Sequence, residues 1–195
     1  MKRAVFFDRD GTLCREVGYV NHPSRLELMP DTAACLKRVR DAGLVAVVAT
    51  NQAGIARGYF PEHVLHETHQ RLEQLLAASG AALDGIYACV HHPEVGAPGW
   101  RQRCDCRKPR PGLLQRAARD LDLDLSRSFM VGDTFRDVGA GRQAGCEACV
   151  MLRTGYGHGE LLWKSHAAEE WPDFVADDLT MAVDWILDRV QNRSR

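Results

Sequence analysis

FFDRDGT, residues 6–12, decides how the rest of this chain is read. Its phenylalanines close an apolar run, Ala4 to Phe7, of the kind a buried parallel strand uses. The run stops at Asp8 and Asp10, with Gly11 and Thr12 directly behind. In open α/β sheets, ligand sites form at the C-terminal ends of central strands. Asp8 is placed there to attack an electrophile, and Asp10 to handle a proton beside it. Two carboxylates this close repel unless a cation lies between them or one is protonated, so a hard ion such as Mg2+ is expected. Asp-Gly alone is also an ordinary turn pair, and only the pieces that follow decide against that reading.

Outward from this stretch, apolar runs alternate with helical periodicity. Residues 31–42 place Cys35, Leu36, Val39 and Ala42 on one helical face, and Leu44 to Ala49 is a second buried strand. An amphipathic helix over 61–78 opens with Pro61; a strand at Gly85 to Val90 and a helix over 111–122 led by Pro111 follow. Ser128 to Val131 predicts a fourth strand, 134–144 a glycine-interrupted helix, and Cys149 to Leu152 a fifth strand. Leu179, Ala182, Val183, Ile186, Leu187 and Val190 form the stripe of a last helix. Strands separated by helices imply right-handed crossovers and a parallel, Rossmann-like sheet covered on both faces, a three-layer α/β fold. Segments 13–29 and 91–110 break the pattern as long loops, and 155–174 reads as a surface-draped connection. Segment 13–29 is too short for a folded cap, so residues 1–195 read as a single domain with an open site.

Composition bounds the function classes. The chain has 195 residues, 45% hydrophobic and 26% charged, with 25 basic and 26 acidic side chains and a net charge of −1. That balance offers no global field for nucleic acid, and no apolar run approaches the roughly 20 residues of a membrane span. The first strand begins within three residues of Met1, leaving no room for a signal peptide, so a cytoplasmic protein without nucleic-acid or membrane partners is expected, as a monomer. Seven cysteines in such a chain do not suggest a disulfide framework. Cys14, Cys35, Cys146 and Cys149 read as small buried residues.

The other three belong to a loop. Cys89, His91, Cys104 and Cys106 supply three thiolates and an imidazole, the ligands that zinc prefers, and four protein ligands mean a closed structural Zn2+ site at about 89–106. The intervening HPEVGAPGWRQR has little apolar content to order itself. The competing reading is incidental cysteines with a core histidine; a Cys104–Cys106 disulfide would need a strained small ring. His92 is the rival ligand to His91 and is taken as a neighbour or surface residue. Because the loop runs straight into Arg107-Lys108, an ion there would fix where those cations point.

Polar groups end the apolar runs at Asp8/Asp10, at Thr50/Asn51 and at Asp133, and Arg107-Lys108-Pro109 precedes a helix. Phosphoryl transfer needs this set: a nucleophile, a proton donor, groups that hold the phosphoryl oxygens, a lysine and a metal carboxylate.

DxDGT, a strand ending in Thr-Asn, Lys-Pro and then GDxxxD, over residues 4–152, resembles the haloacid dehalogenase-like phosphohydrolase superfamily. The resemblance implies that Asp8 is the nucleophile, forming an aspartyl-phosphate, with Asp10 as general acid and then base. It implies that Thr50 and Asn51 bind the phosphoryl group, that Lys108 stabilises its charge, and that Asp8, the Asp10 carbonyl and Asp133 hold magnesium, with Asp137 supporting them. The metal loop, C-x-H-x-P…C-x-C-R-K-P, narrows the likeness, together with Gly18-Tyr19, TNQAGIARG at 50–58 and GIYACVHHP at 85–93. These are similar to the D-glycero-D-manno-heptose 1,7-bisphosphate 7-phosphatase family, which acts in nucleotide-activated heptose synthesis for lipopolysaccharide core or related glycans. That family implies substrate contacts at Glu16, Val17, Gly18 and Tyr19, at Thr50, Asn51, Gln52 and Ala53, and at Arg107 and Lys108. Thr134 departs from it, standing where family members often carry lysine. Histidinol-phosphate phosphatases share both motifs and loop. A polynucleotide 3′-phosphatase fits less well, with no kinase domain or basic groove. A phospho-acceptor receiver module also uses aspartate, magnesium, threonine and lysine, but Asp10 beside the nucleophile argues for turnover. Of Arg57, Arg101, Arg103, Arg107 and Arg110, Arg107 is the one expected to contact a second phosphate.

Overall fold

Successive side chains of β1 (Ala4–Phe7) leave opposite faces of the sheet, and all four are fully buried. Val5 and Phe7 pack in one core cluster with Leu36, Val48, Leu72 and Ile186; Ala4 and Phe6 pack in another with Val47, Leu114 and Val138. A strand apolar at every position therefore reflects cover on both faces. Each buried phenylalanine contributes about 1.5–3 kcal/mol.

The structure is a computed structural model that describes residues 1–192. It has five further strands: β2 (Val45–Asn51), β3 (Gly85–Cys89), β4 (Phe129–Gly132), β5 (Ala148–Leu152) and β6 (Phe174–Ala176). All pairings are parallel, in the order β3-β2-β1-β4-β5-β6. Helices α1 (Thr32–Asp41), α2 (Glu62–Ala78) and α6 (Leu179–Asn192) cover one face, and α3 (Gly112–Leu121) and α4 (Phe135–Ala144) cover the other. The chain leaves β1 toward β2 and β3, then returns to the opposite side of β1 with β4. The order thus reverses between β1 and β4, and a crevice at such a switch point is where open α/β sheets bind ligands.

The expected elements stand within about two residues of their positions in the sequence. Segment 155–174 differs: it carries a short helix, α5 (Gly157–Trp163), and leads into β6. A seven-residue helix with exposed Leu162 and Trp163 shows no amphipathic stripe, and three strand residues are too few for a period to register. Loop 13–29 is held by Arg25, which donates to the carbonyls of Tyr19 (3.0 Å) and Val17 (3.0 Å) and to Asn21 Oδ1 (2.9 Å). Among the described residues no helix is long and apolar enough to cross a membrane.

Candidate active site

Two strand ends, one helix start and one loop meet at the switch point. β1 delivers Asp8, β4 delivers Asp133, the first turn of α4 delivers Asp137, and Lys108 enters just before α3. Lys108 is almost fully buried, with Nζ 3.0 Å from Asp8 Oδ1 and 2.5 Å from Asp137 Oδ1. Burial opposes its charge, but Asp137 and then Asp8 outweigh it and raise the ammonium above its ordinary value. Its backbone is pinned by Asn51 at the end of β2, whose Nδ2 donates to the Lys108 carbonyl (3.1 Å) and whose Oδ1 accepts the Lys108 N–H (3.1 Å). The Asn51 side chain therefore positions Lys108, while the buried Thr50 hydroxyl keeps its proton available to the pocket.

Asp8, Asp133 and Asp137 each offer an oxygen within 4.8 Å of the others. Two buried carboxylates and the half-buried Asp8 against one lysine leave a negative excess. Burial first, then Asp137 and Asp10 against the opposing pull of Lys108, pushes Asp8 up to about 6. Burial, Asp137 and Asp8 push Asp133 up to about 8. Both Asp137 oxygens are engaged: Oδ1 with Lys108, and Oδ2 with the Thr134 N–H (3.0 Å) and hydroxyl (2.6 Å). Asp8 and Asp133 are thus the carboxylates with capacity left for a hard cation, and the donor set fits magnesium. The Thr134 hydroxyl is committed to this helix cap.

A pH dependence follows. Both carboxylates bind protons more tightly folded than unfolded, where the ordinary value is 3.8, so their contribution to metal-free stability is greatest at low pH and is lost as pH rises through about 6 and about 8. Magnesium held by these two carboxylates would replace those protons. Its increment in Tm should therefore be larger at about pH 8 than at about pH 5. Thermal melts with and without magnesium at both pH values check this; a pH-independent increment would remove these carboxylates from the ion's site.

Close packing fixes Asp133. A Cβ on either Gly11 (φ +76°) or Gly155 (φ +55°) would lie 2.1 Å from Asp133 Oδ2, so the carboxylate sits between two glycines that only the left-handed region and a bare Cα allow. The Tyr156 N–H donates to Asp133 Oδ2 (2.7 Å), and Thr154 Oγ1 donates to the Gly11 carbonyl (2.6 Å). The start of segment 155–174 is therefore part of the site wall.

Asp10 is not among the clustered carboxylates. Its oxygens receive Arg9 Nε (3.1 Å), Arg9 Nη2 (2.8 Å) and Gln52 Nε2 (2.8 Å), so any part it takes in holding an ion falls to its backbone carbonyl.

These groups line a cavity of ≈ 220 Å³ together with Glu16, Gly18, Tyr19, Gln52, Ala53, Arg107, Thr134, Arg136 and Tyr156. Val17, expected at the substrate, instead packs against the core, because Arg25 holds its carbonyl and turns the loop. Glu16 accepts the Gly18 N–H (2.5 Å) and hydrogen-bonds the Tyr156 side chain. Arg136 has no counterpart in the sequence reading: its place one helical residue past Phe135 carries no motif, and only the fold turns it to the cavity. Burial, then Arg136, lowers the Arg107 guanidinium below its ordinary value. Neither arginine has a carboxylate partner among the described residues. Both also line an adjoining cavity of ≈ 380 Å³ with Arg103 and Arg110. Two facing cations left unpaired, in a cleft otherwise rich in carboxylates, suit an anion.

Beyond β3, Cys89, His91, Cys104 and Cys106 converge. Their Sγ atoms lie 3.1–3.5 Å apart, with His91 Nδ1 3.5 Å from Cys106 Sγ and 3.8 Å from Cys89 Sγ. A tetrahedron with Zn–S of about 2.3 Å and Zn–N of about 2.0 Å has edges of roughly 3.5–3.8 Å. The three cysteines are free of disulfides, and the hydrogen bond to Cys89, then burial, pushes the Cys106 thiol well above its ordinary value. The donor chemistry and spacing fit zinc. His92 lies outside the cluster, its Nδ1 accepting the N–H groups of Glu94 (3.1 Å) and Val95 (3.2 Å). Arg107 donates to the His91 carbonyl (3.2 Å), tying the loop to the cavity rim.

The Hydrolase_like family (HAD-hydrolase-like) matches residues 105–182. The D-glycero-D-manno-heptose-1,7-bisphosphate 7-phosphatase of Thermosynechococcus vestitus is 45% identical over 190 residues, 94% of each chain. The D-glycero-beta-D-manno-heptose-1,7-bisphosphate 7-phosphatase of Escherichia coli K12 is 40% identical over 152 residues, 78% of this chain and 80% of the relative. The D,D-heptose 1,7-bisphosphate phosphatase of B. bronchiseptica, solved with magnesium and phosphate, superposes with a TM-score of 0.82 at 33% identity, covering 97% of this chain and 99% of that one.

Proposed function

Because the chain belongs to the haloacid dehalogenase-like D-glycero-D-manno-heptose-1,7-bisphosphate 7-phosphatase family, we propose that it removes the 7-phosphate of that sugar bisphosphate through an aspartyl-phosphate on Asp8. The observation that carries this is Asp8 at the switch point, with Lys108 on its Oδ1 and with the carboxylates of Asp133 and Asp137 within 4.8 Å of it. In the first step an Asp8 oxygen bonds to phosphorus, the bond from phosphorus to the sugar oxygen breaks, and that oxygen takes the proton of Asp10. In the second, Asp10 takes a proton from water, the water oxygen bonds to phosphorus, and the Asp8–phosphorus bond breaks to release inorganic phosphate. Thr50 and Lys108 hold the phosphoryl oxygens. A magnesium ion on Asp8 and Asp133 would neutralise part of their charge. Glu16, Gly18 and Tyr19 would meet the sugar, and Arg107 with Arg136 the second phosphate.

A phosphate-release panel tests the reading: both anomers of the heptose bisphosphate, the heptose monophosphates, hexose bisphosphates and histidinol phosphate. One phosphate released per bisphosphate, leaving the 1-phosphate, is expected. A preference for histidinol phosphate would overturn the substrate.

Zinc in the cysteine loop is part of the same proposal, with a structural role: it holds His91, hence the carbonyl on which Arg107 rests. Cys104→Ser should lower bound zinc from one per chain to none and raise KM more than it lowers kcat. Elemental analysis and steady-state kinetics check this; parent protein without zinc would end the assignment.

A further inference from the structure

Arg9 is the largest fully buried side chain among the described residues, and it lies between the two aspartates. Its fork grips Asp10, with Nε 3.1 Å from Oδ1 and Nη2 2.8 Å from Oδ2, and Nη2 also donates to Gln52 Oε1 (2.9 Å). Gln52 closes the ring: its Nε2 donates to Asp10 Oδ2 (2.8 Å) and to Thr50 Oγ1 (2.9 Å). One amide nitrogen thus joins the proton-handling carboxylate to the hydroxyl that meets the phosphoryl group. Burial opposes the Arg9 charge, and Asp10 more than restores it. Nearby His69 adds no charge, since burial and then Arg9 push it down to about 4. Complete burial of a guanidinium is a poor route to stability, where an apolar side chain of similar volume does as well or better. What a planar fork offers instead is a fixed carboxylate plane.

We propose that Arg9 and Gln52 are positioning residues that hold Asp10 in the orientation from which it takes a proton from the attacking water. The inference rests on the aspartyl-phosphate reading and concerns its second half: the water oxygen bonds to phosphorus, its proton goes to Asp10, and the Asp8–phosphorus bond breaks. Without the ring, Asp10 keeps its charge but not its direction, so the phosphoenzyme forms and then persists.

p-Nitrophenyl phosphate separates the halves, because its leaving group departs without a proton. In rapid-quench experiments, Gln52→Leu should lower steady-state turnover about 100-fold and the nitrophenolate burst at least about tenfold less than that, with phosphoenzyme approaching one per chain. Arg9→Lys, which keeps the charge but loses the fork, should show the same split. Should the Arg9 variant fail to fold, Gln52→Leu alone carries the test. Burst and steady state falling by one factor, or neither changing, would overturn the proposal in favour of a packing role. Asp10→Asn is the control for the parent reading: absence of phosphoenzyme even there would strike down the aspartyl-phosphate itself and this inference with it.

Discussion

Asp8→Asn is expected to abolish phosphate release, a loss on the order of 10^6-fold for deletion of a covalent nucleophile, while the metal-free protein stays as stable as the parent or becomes more so. The amide keeps the shape and still accepts from Lys108 Nζ and the Arg9 N–H, both now on Oδ1. It removes one of three crowded carboxylates, the one that desolvation pushes up to about 6. Stability and activity therefore move in opposite directions, as they do where a site is built from mutually repelling groups. Phosphate release, acid-quenched phosphoenzyme and a thermal melt without magnesium measure all three consequences. Turnover retained in this variant would remove Asp8 as nucleophile, and a collapse in stability would show that its charge supports the fold.

Lys108→Met is the second large effect, with the opposite signature. Methionine fills the buried channel but leaves Asp8 and Asp137 without their ammonium. Breaking one side of a buried ion pair costs about 3–5 kcal/mol. Activity should also fall, by on the order of 10^2- to 10^3-fold, since an ammonium aimed at developing phosphoryl charge is lost. Magnesium should restore part of the stability, because a dication on Asp8 and Asp133 relieves the same repulsion, but it should not restore the rate. Denaturant unfolding with and without magnesium, alongside turnover at saturating magnesium, checks both. Stability unchanged in the metal-free variant would mean that the carboxylates are already protonated there.

The fold was legible because its signals are local. Ala4 to Phe7, the stretch from Leu44 to Ala49 and the stripe of α6 each declare themselves within one element. The sixth strand and α5 were not legible, since three residues and seven residues fall below the length at which a period registers. The site divides in the same way. Asp8, Asp10, Thr50, Lys108 and Asp133 stand at the ends of apolar runs, where strand order alone brings them toward one edge. Arg136 and Tyr156 reach the cavity only through the direction of a helix start and of a loop. Val17 shows the converse: adjacent to Glu16 and Gly18 in sequence, it packs against the core where Arg25 holds its carbonyl and the loop turns at Gly18. The bond between Arg9 and Asp10 was invisible for a plainer reason. An arginine between two aspartates reads as a solvated charge until its burial is known.

The contact between the backbones around Gly11 and Gly155 has a consequence for how the protein comes into being. Asp8 leaves the ribosome more than a hundred residues ahead of Asp133 and its Tyr156 partner. A nascent chain halted between the two carries Asp8 without the carboxylate and the glycine that wall it in, so this side of the cavity closes only once Tyr156 has emerged.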